Sequence, residues 1–174
     1  YASSQYLNVR RIREGEGTVF MDIPEIPEEA FIAPYVVCPT NGNIIYAGSA
    51  AMAKTVDGGD SWALTNNNST LDGNPILSIG VTHNPDVVYC ATAPTTIFGG
   101  TRGNFFVTID GGQTWQNQTG ILPDRYPMDI AIDPTDEAIA YIVFSGFGTG
   151  HVFKTTDYGA TWNDISGDLP DIPT

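Results

Sequence analysis

Two carboxylates flanking a sugar can cleave its glycosidic bond, one as acid and the other as base or nucleophile. Aromatic rings beside carboxylates suit carbohydrate binding without cleavage, by stacking on a sugar face while the acids bond hydroxyls. The chain places such residues in its irregular stretches: Asp22, Glu25, Glu28 and Glu29 in 21–34, Asp72 in 66–75, Phe98 and Arg102 in 93–103, Asp124, Arg125 and Tyr126 in 119–127, and Phe147 in 145–150, with His151 just beyond. Asp129 joins them because the positions aligned with it by eye, Pro34 and Leu77, are apolar. The ligand-face candidates are therefore Asp72, Phe98, Arg102, Asp124, Arg125, Tyr126, Asp129 and Phe147. No catalytic residue is assigned, because no complete constellation can be assembled from them. His83 and His151 are isolated, which gives no support to a histidine metal site or a nucleophile triad. No metal or cofactor is expected.

The elements that position these residues are announced by a repeat. Thr55-Val56-Asp57-Gly58-Gly59-Asp60-Ser61-Trp62, Thr108-Ile109-Asp110-Gly111-Gly112-Gln113-Thr114-Trp115 and Thr155-Thr156-Asp157-Tyr158-Gly159-Ala160-Thr161-Trp162 all read T-x-D-x-G-x-[ST]-W. The starts lie 53 (108 − 55) and 47 (155 − 108) residues apart. A short Asp side chain can accept backbone N–H bonds two residues on, glycine supplies positive φ without steric cost, and Trp opens the next strand with a large apolar surface. All 3 tryptophans of the chain stand at this motif position. Repetition at such a period implies stacked supersecondary units, and at this length propeller blades.

The motif resembles the Asp-box, or BNR repeat, found in sialidases, sortilin-type receptor domains, xyloglucan-cleaving propellers and many bacterial secreted proteins. The resemblance covers nearly the whole chain. It implies that the box joins the third and fourth strands of a blade at the outer rim, away from the ligand face. It thus implies a structural role for Thr55, Asp57, Gly59 and Trp62, for Thr108, Asp110, Gly112 and Trp115, and for Thr155, Asp157, Gly159 and Trp162. A sialidase also needs three arginines for the sugar carboxylate. Only Arg102 and Arg125 fall on the proposed face, while Arg10, Arg11 and Arg13 share one strand, so that activity is disfavoured. The catalytic aspartates of xyloglucan hydrolases match no residue of this chain.

Strands rich in Val, Ile and Tyr between Pro, Gly and Asn clusters give an all-β reading: a β-propeller of four-stranded antiparallel blades. Inner strands A are expected at 33–37, 76–81 and 128–132, B at 44–49, 87–92 and 139–145, C at 51–56, 104–109 and 150–156, and D at 61–65, 114–118 and 161–165. Pro27–Phe31 could form one helical turn. One segment spans 1–174, with blades at about 1–32, 33–75, 76–126 and 127–174. The first lacks its inner strand and carries a degenerate box at Arg13–Thr18, with Phe20 near the Trp position. Open blade edges invite pairing, so the segment is expected to belong to a larger propeller, its partners being further blades of the same chain or another subunit.

Composition narrows the function. Apolar residues make up 41%, and 20 acidic against 7 basic residues give a net charge of −13. Nucleic-acid binding needs a basic face and is excluded as an expectation. No apolar run is long enough for a membrane span. Cys38 and Cys90 fall in neighbouring blades and are expected as free buried thiols. The reading is a secreted or cell-surface propeller that binds or assembles, with a glycan, peptide or protein ligand and without catalysis. A secreted glycoside hydrolase is the alternative, and a sortilin-like peptide receptor the second.

Overall fold

The structure, a computed structural model, describes residues 1–4, 7–15, 17–24, 33–94 and 102–172. Glu25, Glu28, Glu29 and Phe98, with the helical turn expected at 27–31, lie outside these residues.

The described chain is almost entirely β. The first sheet has three strands, β1 (Ala2–Ser4), β2 (Asn8–Arg13) and β3 (Gly17–Phe20), in chain order. Three four-stranded sheets follow. They are β4 (Tyr35–Val37), β5 (Ile45–Gly48), β6 (Met52–Thr55) and β7 (Ala63–Leu64); β8 (Ile76–Val81), β9 (Val88–Thr92), β10 (Phe105–Thr108) and β11 (Gln116–Asn117); and β12 (Pro127–Ile132), β13 (Ala140–Phe144), β14 (Val152–Thr155) and β15 (Asn163–Asp164). Every pairing is antiparallel between consecutive strands. The inner strands run side by side, β4 against β8 and β8 against β12. This is the architecture of propeller blades.

The cores lie between the sheets. Val87, Tyr89, Phe105 and Val107 of the third meet Ile130, Ile142, Phe153 and Trp162 of the fourth. Tyr46 and Met52 of the second meet Ile79, Val88, Cys90 and Phe106 of the third. Leu7 and Val9 of the first meet Ala47 and Trp62 of the second. Alternation along each strand sends one set of side chains forward and the other back, so each inner blade is apolar on both faces.

Two sequence alignments shift. A β-bulge between Pro127 and Asp129 is matched by one between Ile76 and Ser78. Asp129 opposes Val143 as Ser78 opposes Ala91. The residue matching Asp129 is therefore the buried Ser78 and not Leu77. In the first sheet, Phe20 opposes Arg10 as Leu64 opposes Ala53. The Trp position thus falls on Thr18, and Phe20 lies two residues past it and is 61% exposed. The first turn is one residue shorter than the others, which displaces the alignment.

The Asn66–Asn68 stretch, read from sequence only as loop, makes a short 3-10 turn with all three asparagines at positive φ. Asn tolerates this region better than most residues. The turn brings Asn66 N within 2.8 Å of Gly112 O in the next blade. Among the described residues no helix is long and apolar enough to cross a membrane.

Candidate functional site

The strands present two ends, and the repeat turns occupy one of them, between β6 and β7, β10 and β11, and β14 and β15. Their bonding is the same in all three. Thr55, Thr108 and Thr155 Oγ1 donate to Oδ1 of Asp57, Asp110 and Asp157 at 2.7–2.8 Å. The same hydroxyls accept from Gly59, Gly112 and Gly159 N at 2.8–2.9 Å. Each carboxylate also takes the backbone N–H and hydroxyl of Ser61, Thr114 or Thr161. Gly112 has φ +92°, and a Cβ there would meet Thr65 Cγ2 of the preceding blade at 2.8 Å. Only glycine fits that close approach.

These donors hold the acids ionised. Asp57 is held far below the ordinary carboxylate range, first by the Ser61 hydroxyl, then by its N–H and by Thr55. At Asp110 partial burial pushes upward, but the bonds from Thr114 and Thr108 together outweigh it and set the pKa at about 2. Asp157 is lowered by Thr161 and Thr155. The indole of Trp162 is buried, donates to Gln118 O at 2.8 Å and stands edge-on to Phe105 at 4.8 Å. Trp115 donates to Thr65 Oγ1 at 3.1 Å. Trp62 and Trp115 are only half-buried, short of the packing that Trp162 reaches.

The connections at the other end carry the candidates. Asp72 is engaged inside the fold. Its Oδ1 accepts from Asn74 N at 2.9 Å, and its Oδ2 accepts from Asn74 Nδ2, Thr92 Oγ1 and Asn104 Nδ2 at 3.2, 2.7 and 2.9 Å. This network ties the connection after β7 to the loop between β9 and β10. Burial pushes the neighbouring Cys90 thiol up, helped by the charge of Asp72; both cysteines are free and buried.

Arg125 lies exposed between two loops, donating to Asp124 O at 2.8 Å and Phe147 O at 3.1 Å. The Tyr126 hydroxyl donates to Pro94 O at 2.8 Å, and Arg102 donates to Leu122 O. Asp124, Arg125 and Tyr126 line a half-open cleft of about 240 Å³ over Ala93, Pro94 and Gly103. Phe147 is exposed, and among the described residues the Asp129 carboxylate accepts only from Ile130 N at 2.9 Å. Asp22 is exposed on the chain leaving the first sheet. The structure thus gathers Asp124, Arg125, Tyr126 and the carbonyl of Phe147, and assigns Asp72 and Arg102 to loop bracing.

His151 is buried, with Nδ1 3.2 Å from Phe144 O and Nε2 3.3 Å from Asp171 Oδ1. It braces the connection after β15, since Asp171 also accepts from Gly148 N at 3.0 Å. Sequence reasoning missed the blade-bridging hydroxyls. Tyr46 reaches Pro85 O at 2.8 Å and Tyr89 reaches Glu137 O at 2.6 Å. Their signal was present as a tyrosine recurring at the second position of β5, β9 and β13.

No protein-family model matches the chain, and no curated protein matches it. Among solved structures, an ancestral GH74 enzyme is 23% identical, with a TM-score of 0.64 over 89% of this chain and 20% of its own. The GH74 xyloglucanase from Xanthomonas campestris is 14% identical, with a TM-score of 0.59 over 79% and 23%. YCF48 from Cyanidioschyzon merolae is 18% identical, with a TM-score of 0.55 over 81% and 38%. This chain therefore spans 20–38% of the length of these structures. At such identities the likeness is one of architecture: the chain has the fold of a β-propeller.

Proposed function

We propose that the chain is a secreted or cell-surface propeller module that binds or assembles without catalysing, its turns being Asp-boxes of the structural kind. The ligand, a glycan or peptide, is taken at the loop end, on the cleft formed by Asp124, Arg125 and Tyr126. The observation that carries this is the cleft itself, with a cation, an acid and an aromatic ring above an apolar floor of Ala93 and Pro94. Its volume, about 240 Å³, is below the roughly 300–1,000 Å³ of enclosed small-molecule sites. It suits one sugar or one peptide side chain of a longer ligand. Asp72, the acid nearest in kind to a catalytic partner, already accepts four hydrogen bonds.

A hydrolase is the competing reading. Asp129 favours it, since its exposed carboxylate stands at the bulge of an inner strand. Xyloglucan, after which the Xanthomonas enzyme is named, is the first substrate to try. Equilibrium binding of the full chain to glycan and peptide arrays, alongside a turnover screen on β-glucans, xyloglucan and sialosides, separates the readings. Binding that Arg125→Ala and Tyr126→Ala abolish supports the module. Turnover that Asp129→Asn abolishes replaces it with the hydrolase, and capture of peptides alone favours the sortilin-like reading.

A further inference from the structure

The two lysines of the chain, Lys54 and Lys154, occupy one position of the repeat. Lys54 opposes Tyr46 and Lys154 opposes Tyr141. Each ammonium lies over its tyrosine ring, at 5.2 and 5.4 Å. In the second blade, Lys54 Nζ and the Tyr46 hydroxyl converge on Gly111 O of the next blade, at 3.0 and 3.3 Å. Across the first interface, Arg11 Nη1 and the Tyr1 hydroxyl converge on Gly58 O, at 2.7 and 3.2 Å. Gly58 and Gly111 hold the same place in their turns, with φ of 73° and 72°. Two interfaces are thus closed by one device, a cation and a tyrosine meeting the carbonyl of a left-handed turn residue. The third interface keeps the tyrosine, since Tyr89 donates to Glu137 O at 2.6 Å as Tyr46 does to Pro85 O at 2.8 Å, but it lacks the cation, because Val107 stands in the lysine's place.

The fourth blade restores the pair in Tyr141 and Lys154, and among the described residues no carbonyl accepts from either. The Lys154 charge is felt only weakly at Asp133. The apolar surface beside the pair repeats as well. Ile139, Val143 and Val152 stand where Val87, Ala91 and Phe105 stand in the third blade. Those three are 3%, 1% and 1% exposed beneath the fourth blade, whereas Ile139, Val143 and Val152 remain half-exposed.

We propose that this face of the fourth sheet docks a further blade carrying the repeat turn, with Lys154 and Tyr141 donating to the carbonyl of its left-handed turn residue. A second copy offering its first sheet is a poorer occupant. The third and fourth blades press Phe106 with Trp115, and Phe153 with Trp162, into the preceding sheet. At those positions the first sheet has Arg10, stacked 4.6 Å over Phe20, and Thr18. The route to the docked blade is in place: Leu169 N donates to Ser166 O and Ile172 N to Pro170 O, as Leu122 N does to Thr119 O and Arg125 N to Pro123 O on the way into β12. This inference is independent of the loop cleft.

The test is amine labelling of the full chain with an N-hydroxysuccinimide ester, read at each lysine by peptide mass spectrometry, before and after extension beyond Thr174 by a copy of residues 76–126. In the unextended chain Lys154 should label about tenfold faster than Lys54, the factor expected of one charge-assisted hydrogen bond. In the extended chain Lys154 should fall to the Lys54 rate, and Tyr141→Phe should partly restore its labelling. Unchanged labelling of Lys154 after extension overturns the proposal, whether or not the added blade folds. So does protection that grows with the concentration of the unextended chain, which would make a second copy the occupant.

Discussion

The two ends of each third strand obey different rules. At the outer end, the same Thr–Asp pair makes the same bonds in three blades. At the other end, Ala51, Asn104 and His151 hold one position and do three things. Ala51 O closes a tight corner by accepting from Ser49 N at 2.9 Å, Asn104 braces Asp72, and His151 braces the chain around Asp171. Each outer turn must approach the preceding blade closely, so its backbone leaves one solution. The loop end has no such constraint, and its residues are free to differ. Repetition here marks scaffold, and irregularity marks where a ligand can be read.

The largest effect should come from the buried tryptophan of the rim. Trp162→Ala removes the edge contact with Phe105 and the bond to Gln118 O, and should cost about 3–5 kcal/mol. Trp62→Ala should cost less, because Trp62 is half-buried and makes no indole bond among the described residues. Denaturant midpoints of both variants check the ranking. Equal losses would break the comparison, by showing that repeat position outweighs local packing.

Next comes Asp72, an acid of the loop end that behaves like rim structure. Asp72→Ala removes the charged acceptor shared by Asn74 Nδ2 and Thr92 Oγ1, both on buried residues, and leaves them the carbonyls of Arg102 and Asn104. Hydrogen bonds to a charged group are worth about 1.5–3 kcal/mol, so a loss of about 2 kcal/mol is expected. Binding by the folded fraction should survive. Intact stability with lost binding would return Asp72 to the ligand face.

The contrast also explains what sequence could reveal. The turn, its Gly59, Gly112 and Gly159, and the strands around it were legible because close backbone approach forces residue identity. Asp129 was misaligned because the turn between β8 and β9, closed by Thr82 N on Val87 O, is one residue shorter than the turn between β12 and β13, closed by Asp133 N on Ile139 O, and Phe20 because the first repeat turn is one residue shorter. Asp72 was legible as an acid in a loop but not as a saturated one. Its partners Thr92 and Asn104 lie 20 and 32 residues away, and nothing local announces them. The cleft residues 124–126 were found together because one connection carries all three.

Acid should separate the two ends further. The rim carboxylates are held below their unfolded value, so the stability they add is full above the unfolded pKa of about 3.9. It drains as pH falls through the folded value, which is about 2 at Asp110. Melting temperature should hold from neutral pH to about pH 4 and then drop toward pH 2. In Asp110→Asn the drop should be shallower, since one of the depressed groups no longer takes up a proton on unfolding. An identical acid limb in that variant would remove Asp110 from the linkage.

The smallest stability effect, and the sharpest test of the loop end, belongs to the cleft. Asp124 is exposed and its side chain makes no hydrogen bond among the described residues, so Asp124→Asn should change stability by less than about 0.5 kcal/mol. Tyr126→Phe removes one exposed bond to Pro94 O and should stay near the same limit. If the cleft reads the ligand, both should weaken binding severalfold while the melting curve stays in place. That is the reverse of the pattern expected at Trp162 and Asp110, where stability falls and binding by the folded fraction is kept. The signature lies in the pairing of the two measurements: affinity without stability at one end of the strands, stability without affinity at the other. Should Asp124→Asn and Tyr126→Phe leave binding untouched, the ligand is read elsewhere on the loop end, and Asp129 and Phe147 become the residues to change.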